Sequence, residues 1–258
     1  MNFDNNPRIN GIGEILISSR SLCEYRAMFA LTDDDLSRRI LDCPGGGAGF
    51  TSEVSSLGGD ATACDLAYFH NSATDLAAIA VSESDRGNRY VRAHADQYAW
   101  TFFTGPDEHQ RVRRHAAEQF ATHIRRHPDH YVPGRLPSLP FADASFDLVL
   151  SSHLLFSYTE RLDYTFHVDA ITELMRVTSG ELRIFPLVAV GSSEPYPQLA
   201  ELLADLNGRN IIGRVVKVDY EFQRGADHML VCRHSSSAAP GTAQRRETRH
   251  AERNTTIG

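Results

Sequence analysis

The chain is poor in lysine, tryptophan and sulfur. Lys217 is its one lysine, Trp100 its one tryptophan, and four cysteines and four methionines are spread over 258 residues. The arginine bias that follows carries no mechanism. Cys23, Cys43, Cys64 and Cys232 form no C-x-x-C pair and have no zinc-site spacing, so the expectation is structural thiols and no metal. His123 and His127 stand one helical turn apart, but the H-E-x-x-H pattern is missing. No run approaches the ~18 to 20 apolar residues that span a bilayer, and a membrane site is not expected. The first ten residues, MNFDNNPRIN, offer acids and amides where a signal peptide needs basic and then apolar side chains. A cytoplasmic protein is expected. A net charge of −7 argues against a nucleic-acid partner, which requires clustered cations. Arg111, Arg113, Arg114, Arg125 and Arg126 make a local basic stretch that is best read as a solvated helix face.

What is present is the composition of a globular domain, 41% hydrophobic and 23% charged. Residues 14–38 carry helical spacing, with Thr32 or Asp33 placed to cap a last short turn. Arg39–Cys43 is a short apolar run that stops at Asp-Cys-Pro-Gly, and Phe50–Ser56 should open a helix after the glycines. Ala61–Asp65 is the next strand, so the order is strand, loop, helix, strand, which implies parallel pairing. Helical periodicity over about 67–130, interrupted by Tyr90, Tyr98, Trp100, Phe102 and Phe103, suggests a helical insertion or lid over the carboxyl edge of the sheet. Strands are expected at Phe146–Ser151 and Glu181–Val188, and helices at Asp163–Val177 and Pro197–Leu206. Arg214–Phe222 and His228–Arg233 should form a hairpin about the turn 223–227. One domain over 1–234 is expected, followed by a disordered tail over 235–258, which has little to bury.

The segment Ile40-Leu-Asp-Cys-Pro-Gly-Gly-Gly-Ala-Gly-Phe50 carries the main functional signal. Glycines after a strand let backbone and ligand approach closely, and the following helix aims its first N–H groups at the same place. The dinucleotide fingerprint G-x-G-x-x-G is absent, because its third glycine falls on Phe50 or Ser52, and no G-K-[ST] follows. A carboxylate at Asp42 would repel a pyrophosphate and suit an ammonium or sulfonium. Asp65, at the end of the second strand, is placed either to cap a helix or to accept ribose hydroxyls. Its pairing with Asp42 and the glycines favours the second.

These residues resemble the class I S-adenosylmethionine-dependent methyltransferases. Three segments carry the likeness: LDCPGGGAGF with ATACD, then LPFADASFDLVLSSH at 139–153, then ELMRVTSGELRI at 173–184. The resemblance implies a Rossmann-like α/β fold with helices on both faces of a seven-stranded sheet, mostly parallel, closed by an antiparallel C-terminal hairpin. It implies S-adenosyl-L-methionine as cofactor. Asp42 with Gly45, Gly46, Gly47 and Gly49 would hold the methionine end. Asp65 and Leu66 would hold the ribose, Arg135 and Leu136 would lie beside the adenine, and Ser151, Ser152 and His153 would face the methyl group. Pro44 stands where the family's first glycine usually lies, and Arg135 replaces the acid that often meets the adenine amino group.

Methyl transfer from an activated sulfonium needs alignment and exclusion of water more than acid–base help. His153 is the candidate base, with packing under the cofactor as its other reading. Tyr158, Asp163 and His167 stand behind it. Tyr98, Trp100, Phe102 and Phe103 either roof an acceptor pocket for an apolar or planar molecule or line the underside of a lid. The expected function is methyl transfer to a small molecule. The alternatives are a catalytically silent cofactor-binding protein or regulator on the same fold and, against the missing fingerprint, a nicotinamide-dependent reductase. Acceptor and oligomeric state are not set by the sequence.

Overall fold

A computed structural model describes residues 17–235. Of the segment expected as a tail, 236–258 lies outside the described residues. The helical region before the first strand is two short helices, α1 (Leu22–Phe29) and α2 (Asp33–Leu36), separated by Ala30 in the left-handed conformation. Ser21 and Thr32 begin them with capping boxes, to Glu24 and Asp35 respectively. Ser18–Arg20, expected to be helical, is not, because the Ser21 cap starts α1 after it.

Then follow β1 (Arg39–Asp42), α3 (Phe50–Ser56), β2 (Asp60–Asp65), α4 (Ala73–Ala93), α5 (Pro106–Arg126) and β3 (Tyr131–Pro133). The second half is β4 (Phe146–Ser152), α6 (Tyr164–Val177), β5 (Thr178–Phe185), α7 (Leu199–Gly208), β6 (Ile211–Lys217) and β7 (His228–His234). The strands form one seven-stranded sheet in the order β3-β2-β1-β4-β5-β7-β6. Pairing is parallel from β3 through β5 and antiparallel at β7 and β6.

Alternation along the strands explains the two faces. Leu41, Val149, Leu182, Ile184 and Leu230 point to α6 and α7, where Ile171, Leu174, Met175, Leu202 and Leu206 meet them. Ile40, Leu148, Leu150, Phe185 and Val231 point to the other face, under Tyr25, Met28 and Phe29 of α1 and Phe50 and Val54 of α3. Strands buried on both sides read as continuous apolar runs, which is why β1 and β4 were visible in the sequence. A third cluster, with Leu76, Ala77 and Ala80 of α4 and Ala117, Phe120 and Ile124 of α5, covers Ala63 of β2 and Tyr131 of β3.

Two boundaries differ from expectation. Strand β5 starts at Thr178, since Phe146 pairs with Thr178 across a register shift, and it ends at Phe185. The first hairpin strand starts and ends earlier than expected. Pairing runs from Ile211↔His234 to Lys217↔His228, and residues 218–227 leave the sheet to pack against the 98–103 segment. There Ala99 N–H donates to Phe222 O at 2.8 Å, and Tyr98 bridges Gln223. Buried ion pairs fasten the start of the fold to β5. Arg183 donates to Phe29 O at 2.8 Å and to both carboxylate oxygens of Asp35 at 3.1 and 3.2 Å, and it also pairs with Glu181.

Candidate functional site

Strand β1 ends beside β2 and β4, where the strand order reverses and ligands of open α/β sheets collect. The loop Cys43–Gly49 turns there. Gly46 takes φ +52°, a conformation glycine adopts freely, and its N–H donates to Asp65 Oδ2 at 2.9 Å. Asp65 Oδ1 accepts from Ala67 N–H at 2.8 Å, so this carboxylate does cap the single turn Leu66–Phe69. Burial pushes the Asp65 carboxyl up, against the two N–H donors that hold it down. Asp42 is fully buried and accepts from the Tyr25 hydroxyl at 2.9 and 3.1 Å. Burial raises its pKa well above the carboxylate range.

The sequence-selected residues therefore gather at one edge. Gly134 N–H donates to Asp65 O at 3.2 Å, which sets Arg135 and Leu136 beside β2. Leu136 is buried, whereas Arg135 and Leu66 are exposed. Ser151 Oγ is buried with no partner among the described residues, and Ser152 Oγ lies 2.9 Å from His153 Nδ1.

Much of the close approach at the loop is made by the chain itself. Gly47 N–H donates to Ser18 O at 3.3 Å and Gly49 N–H to Arg20 O at 2.9 Å. A Cβ on Gly47 would stand 2.9 Å from Ala80 Cβ of α4, and one on Gly49 3.1 Å from Ala116 Cα of α5. These glycines let Ser18–Arg20 and both helices press onto the loop.

Beyond that segment lies a cavity of about 340 Å³. Ser18–Arg20 form one side, Ser84 and Asn88 of α4 another, His153 and Phe185 the floor, and Tyr98, Tyr220 and Phe222 the roof. Asp42, Asp65 and the loop glycines do not line it. Its wall holds buried polar atoms with no partner among the described residues: Ser19 Oγ, Arg20 Nε, Ser84 Oγ, both amide atoms of Asn88, His109 Nδ1 and Arg113 Nε. Unpaired buried polar atoms are costly and rare, and a cluster of them around one space marks a ligand site.

Of the aromatic cluster, Tyr98 lines the cavity, while Trp100, Phe102 and Phe103 back the roof. Tyr98 stacks on Phe222 at 4.5 Å, and Phe222 on His109 at 4.7 Å. Tyr158 also lines the cavity. His167 is fully buried against Asp163 O and Leu155 O, and Asp163 caps α6 through Phe166 N–H; both are structural. Burial, then Arg20 and Arg113, hold the His153 imidazole well below its ordinary pKa.

One expectation fails outright. Arg113 is not on a solvated face: its guanidinium pairs with the fully buried Glu24 at 2.7 Å, and Tyr220 donates to the same carboxylate at 3.0 Å. Arg111, Arg114, Arg125 and Arg126 are exposed as expected. Ser19, Arg20, Ser84 and Asn88 were not singled out from the sequence. The four-residue step from Ser84 to Asn88 on a helix was the one available signal, and it is common on solvated helices too.

A methyltransferase-domain family model matches residues 84–181, a stretch holding the C-terminal half of α4, His109, Arg113 and Ser151–His153 and lacking the glycine loop. An uncharacterized protein of Methanocaldococcus jannaschii is 27% identical over 227 residues, 88% of this chain and 99% of its own length. Among solved structures, the Burkholderia thailandensis 1,6-didemethyltoxoflavin-N1-methyltransferase, with 1,6-didemethyltoxoflavin and S-adenosylhomocysteine bound, is similar at 13% identity and TM-score 0.45, covering 82% of this chain and 78% of that one. A SAM-dependent methyltransferase of Aquifex aeolicus is similar at 15% identity and TM-score 0.39, covering 76% and 81%.

Proposed function

We infer that this chain, a class I S-adenosylmethionine-dependent methyltransferase, methylates a small molecule seated in the cavity over β4 and β5. One observation carries the acceptor: among the described residues, Ser19, Arg20, Ser84 and Asn88, each with a partnerless buried polar atom, line a single partly open cavity together with His153. The cavity's size of about 340 Å³ and the net charge of −7 favour a small molecule over a nucleic acid. Among the described residues no helix is long and apolar enough to cross a membrane, and we place the protein in the cytoplasm.

The residues beside the loop suit an adenosyl group. Asp65 uses one lone pair of each oxygen on Gly46 and Ala67 and keeps acceptor capacity for ribose hydroxyls. A Cβ on Gly46 would meet nothing nearer than Ser18 O at 3.4 Å, and Ser151 Oγ lacks a partner. The holding set is Asp42, Gly45, Gly46, Gly47, Gly49, Asp65, Leu66, Arg135, Leu136, Ser151 and Ser152. When bound there, the cofactor supplies a methyl group already activated by its sulfonium. The chain's own part is to orient the acceptor and keep water out beneath Tyr98 and Phe222. His153, held neutral, serves as a hydrogen-bonding and positioning group.

The test is calorimetry with S-adenosylhomocysteine, followed by transfer of labelled methyl from S-adenosylmethionine to a small-molecule extract. Saturable binding with label in that extract is expected. Binding without label in any fraction supports the silent cofactor-binding alternative, and binding of reduced nicotinamide dinucleotide alone overturns both.

A further inference from the structure

The charges around the cavity cancel in pairs, with one exception. Arg113 is matched by Glu24 at 2.7 Å, and Arg86 by Glu83 at 2.6 Å. Arg20 has no carboxylate within 4.0 Å among the described residues. Its Nη1 donates to Ser18 Oγ and its Nε has no partner. The nearby carboxyl of Asp42 is engaged by Tyr25 and is itself driven toward its neutral form by burial. A half-buried guanidinium with a buried Nε and no counter-ion is costly, and its planar fork matches a carboxylate.

The neighbours of Arg20 add to that preference. Ser19 Oγ, Ser84 Oγ and Asn88 Nδ2 supply uncharged donors, the last two one helical turn apart on α4. Across the space, Tyr98, Phe222 and His109 form one stack, with centroids 4.5 and 4.7 Å apart and planes 16° and 11° from parallel, so Phe222 is covered on both faces and the end rings have a face to offer. Flat aromatic walls accept a planar ring by stacking. A volume of about 340 Å³ suits one or two fused rings.

We propose that the methyl acceptor is a planar aromatic acid whose carboxylate is bound by Arg20, with Ser84 and Asn88 as accessory donors and Tyr98, the end ring of the stack, against its ring. This rests on the methyltransferase reading, and the experiment separates the two. The full chain, with and without S-adenosylhomocysteine, is titrated calorimetrically with 4-hydroxybenzoate and 6-hydroxy-2-naphthoate and with the matching amides. At least one acid is expected to bind, and its amide to bind about ten-fold more weakly or less, the range for a lost charge-assisted hydrogen bond. Arg20→Gln is expected to abolish that preference while keeping S-adenosylhomocysteine affinity within about two-fold, since the glycine loop bonds the backbone carbonyl of Arg20, which the substitution keeps. Asn88→Leu, a surface of α4 that does not touch the glycine loop, is expected to weaken the acid several-fold and covers the case in which Arg20→Gln fails to fold. Equal binding of acid and amide, no binding of either acid, or loss of S-adenosylhomocysteine affinity in Arg20→Gln with the acid unaffected would each overturn the proposal. Acid binding by a chain that ignores S-adenosylhomocysteine would keep Arg20 as a carboxylate site and remove the methyltransferase reading.

Discussion

At Asp65 the capping role is present, and the carboxylate keeps acceptor capacity for the ribose role proposed above. The carboxylate caps the turn after β2 and still faces the loop through Gly46. Asp65→Ala is expected to weaken S-adenosylhomocysteine binding by about 1 to 3 kcal/mol and to lower the melting temperature, because two N–H groups lose their acceptor. Unchanged calorimetric affinity in that variant would remove Asp65 from the proposed holding set. His153 is a different case. Its position after β4 was legible, but its burial beside two guanidiniums was not, since Arg20 and Arg113 reach it from distant parts of the chain. With its pKa lowered, His153 is neutral throughout the neutral range. The pH profile of kcat/KM is therefore expected to show no limb near 6.5, and His153→Gln should lower kcat/KM without changing the profile's shape between pH 6 and 8. A limb that vanishes in the variant would restore His153 as a base.

Helices α4 and α5 do work that strand patterns could not announce. Their periodicity and the aromatic interruption were readable; their packing across Ala63 of β2 and Tyr131 of β3 was not. Their grip on the glycine loop was not, because Ala80 and Ala116 are small, chemically silent residues whose importance lies in what they permit. Gly47→Ala is expected to cost about 1 to 3 kcal/mol, as overpacking does, through the clash with Ala80. Ala80→Gly in the same chain should recover part of it, which a double-mutant cycle by urea denaturation measures. Additive costs would mean that the loop and α4 do not press on each other. The central strands and the helix after the loop were legible for the converse reason: β1 and β4 are buried on both faces, so their apolar runs carry the signal directly. The hairpin boundary was misplaced because Val218, Tyr220 and Phe222 continue the strand-like alternation while serving the roof.

Stability of the whole molecule should depend on pH through its buried imidazoles and carboxylates, whose slopes do not all share one sign. Burial, with Arg113 and Arg20 adding, pulls His109 down to about 2. Below its ordinary value near 6.5 the unfolded chain takes up a proton that the folded chain refuses, so folding weakens by about 1.4 kcal/mol per pH unit for such a group. The carboxylates Asp35 and Glu181 are held below their usual range: against the desolvation of burial, the Thr32 N–H and Arg183 hold Asp35 down, and Arg183 and Arg233 hold Glu181 down. Their contribution is present above the unfolded carboxylate pKa and disappears as pH falls through the folded one. The imidazole share of the denaturant midpoint should therefore decline from pH 7 to 6 to 5, against the opposite slope of Asp42, whose folded pKa burial raises. His109→Phe, which keeps a ring against Phe222, should flatten that decline, and an unchanged slope would place its origin elsewhere.

The roof belongs to residues 218–227, and its fastenings reach far back along the chain: Tyr220 to Glu24, Phe222 to Ala99, Gln223 to Tyr98. On the ribosome that connection emerges after everything else that borders the cavity. Until it arrives, a nascent chain has a floor and two walls but no ceiling, with His109 and Arg113 open to water, so the chamber for the acceptor is among the last features to be completed during synthesis.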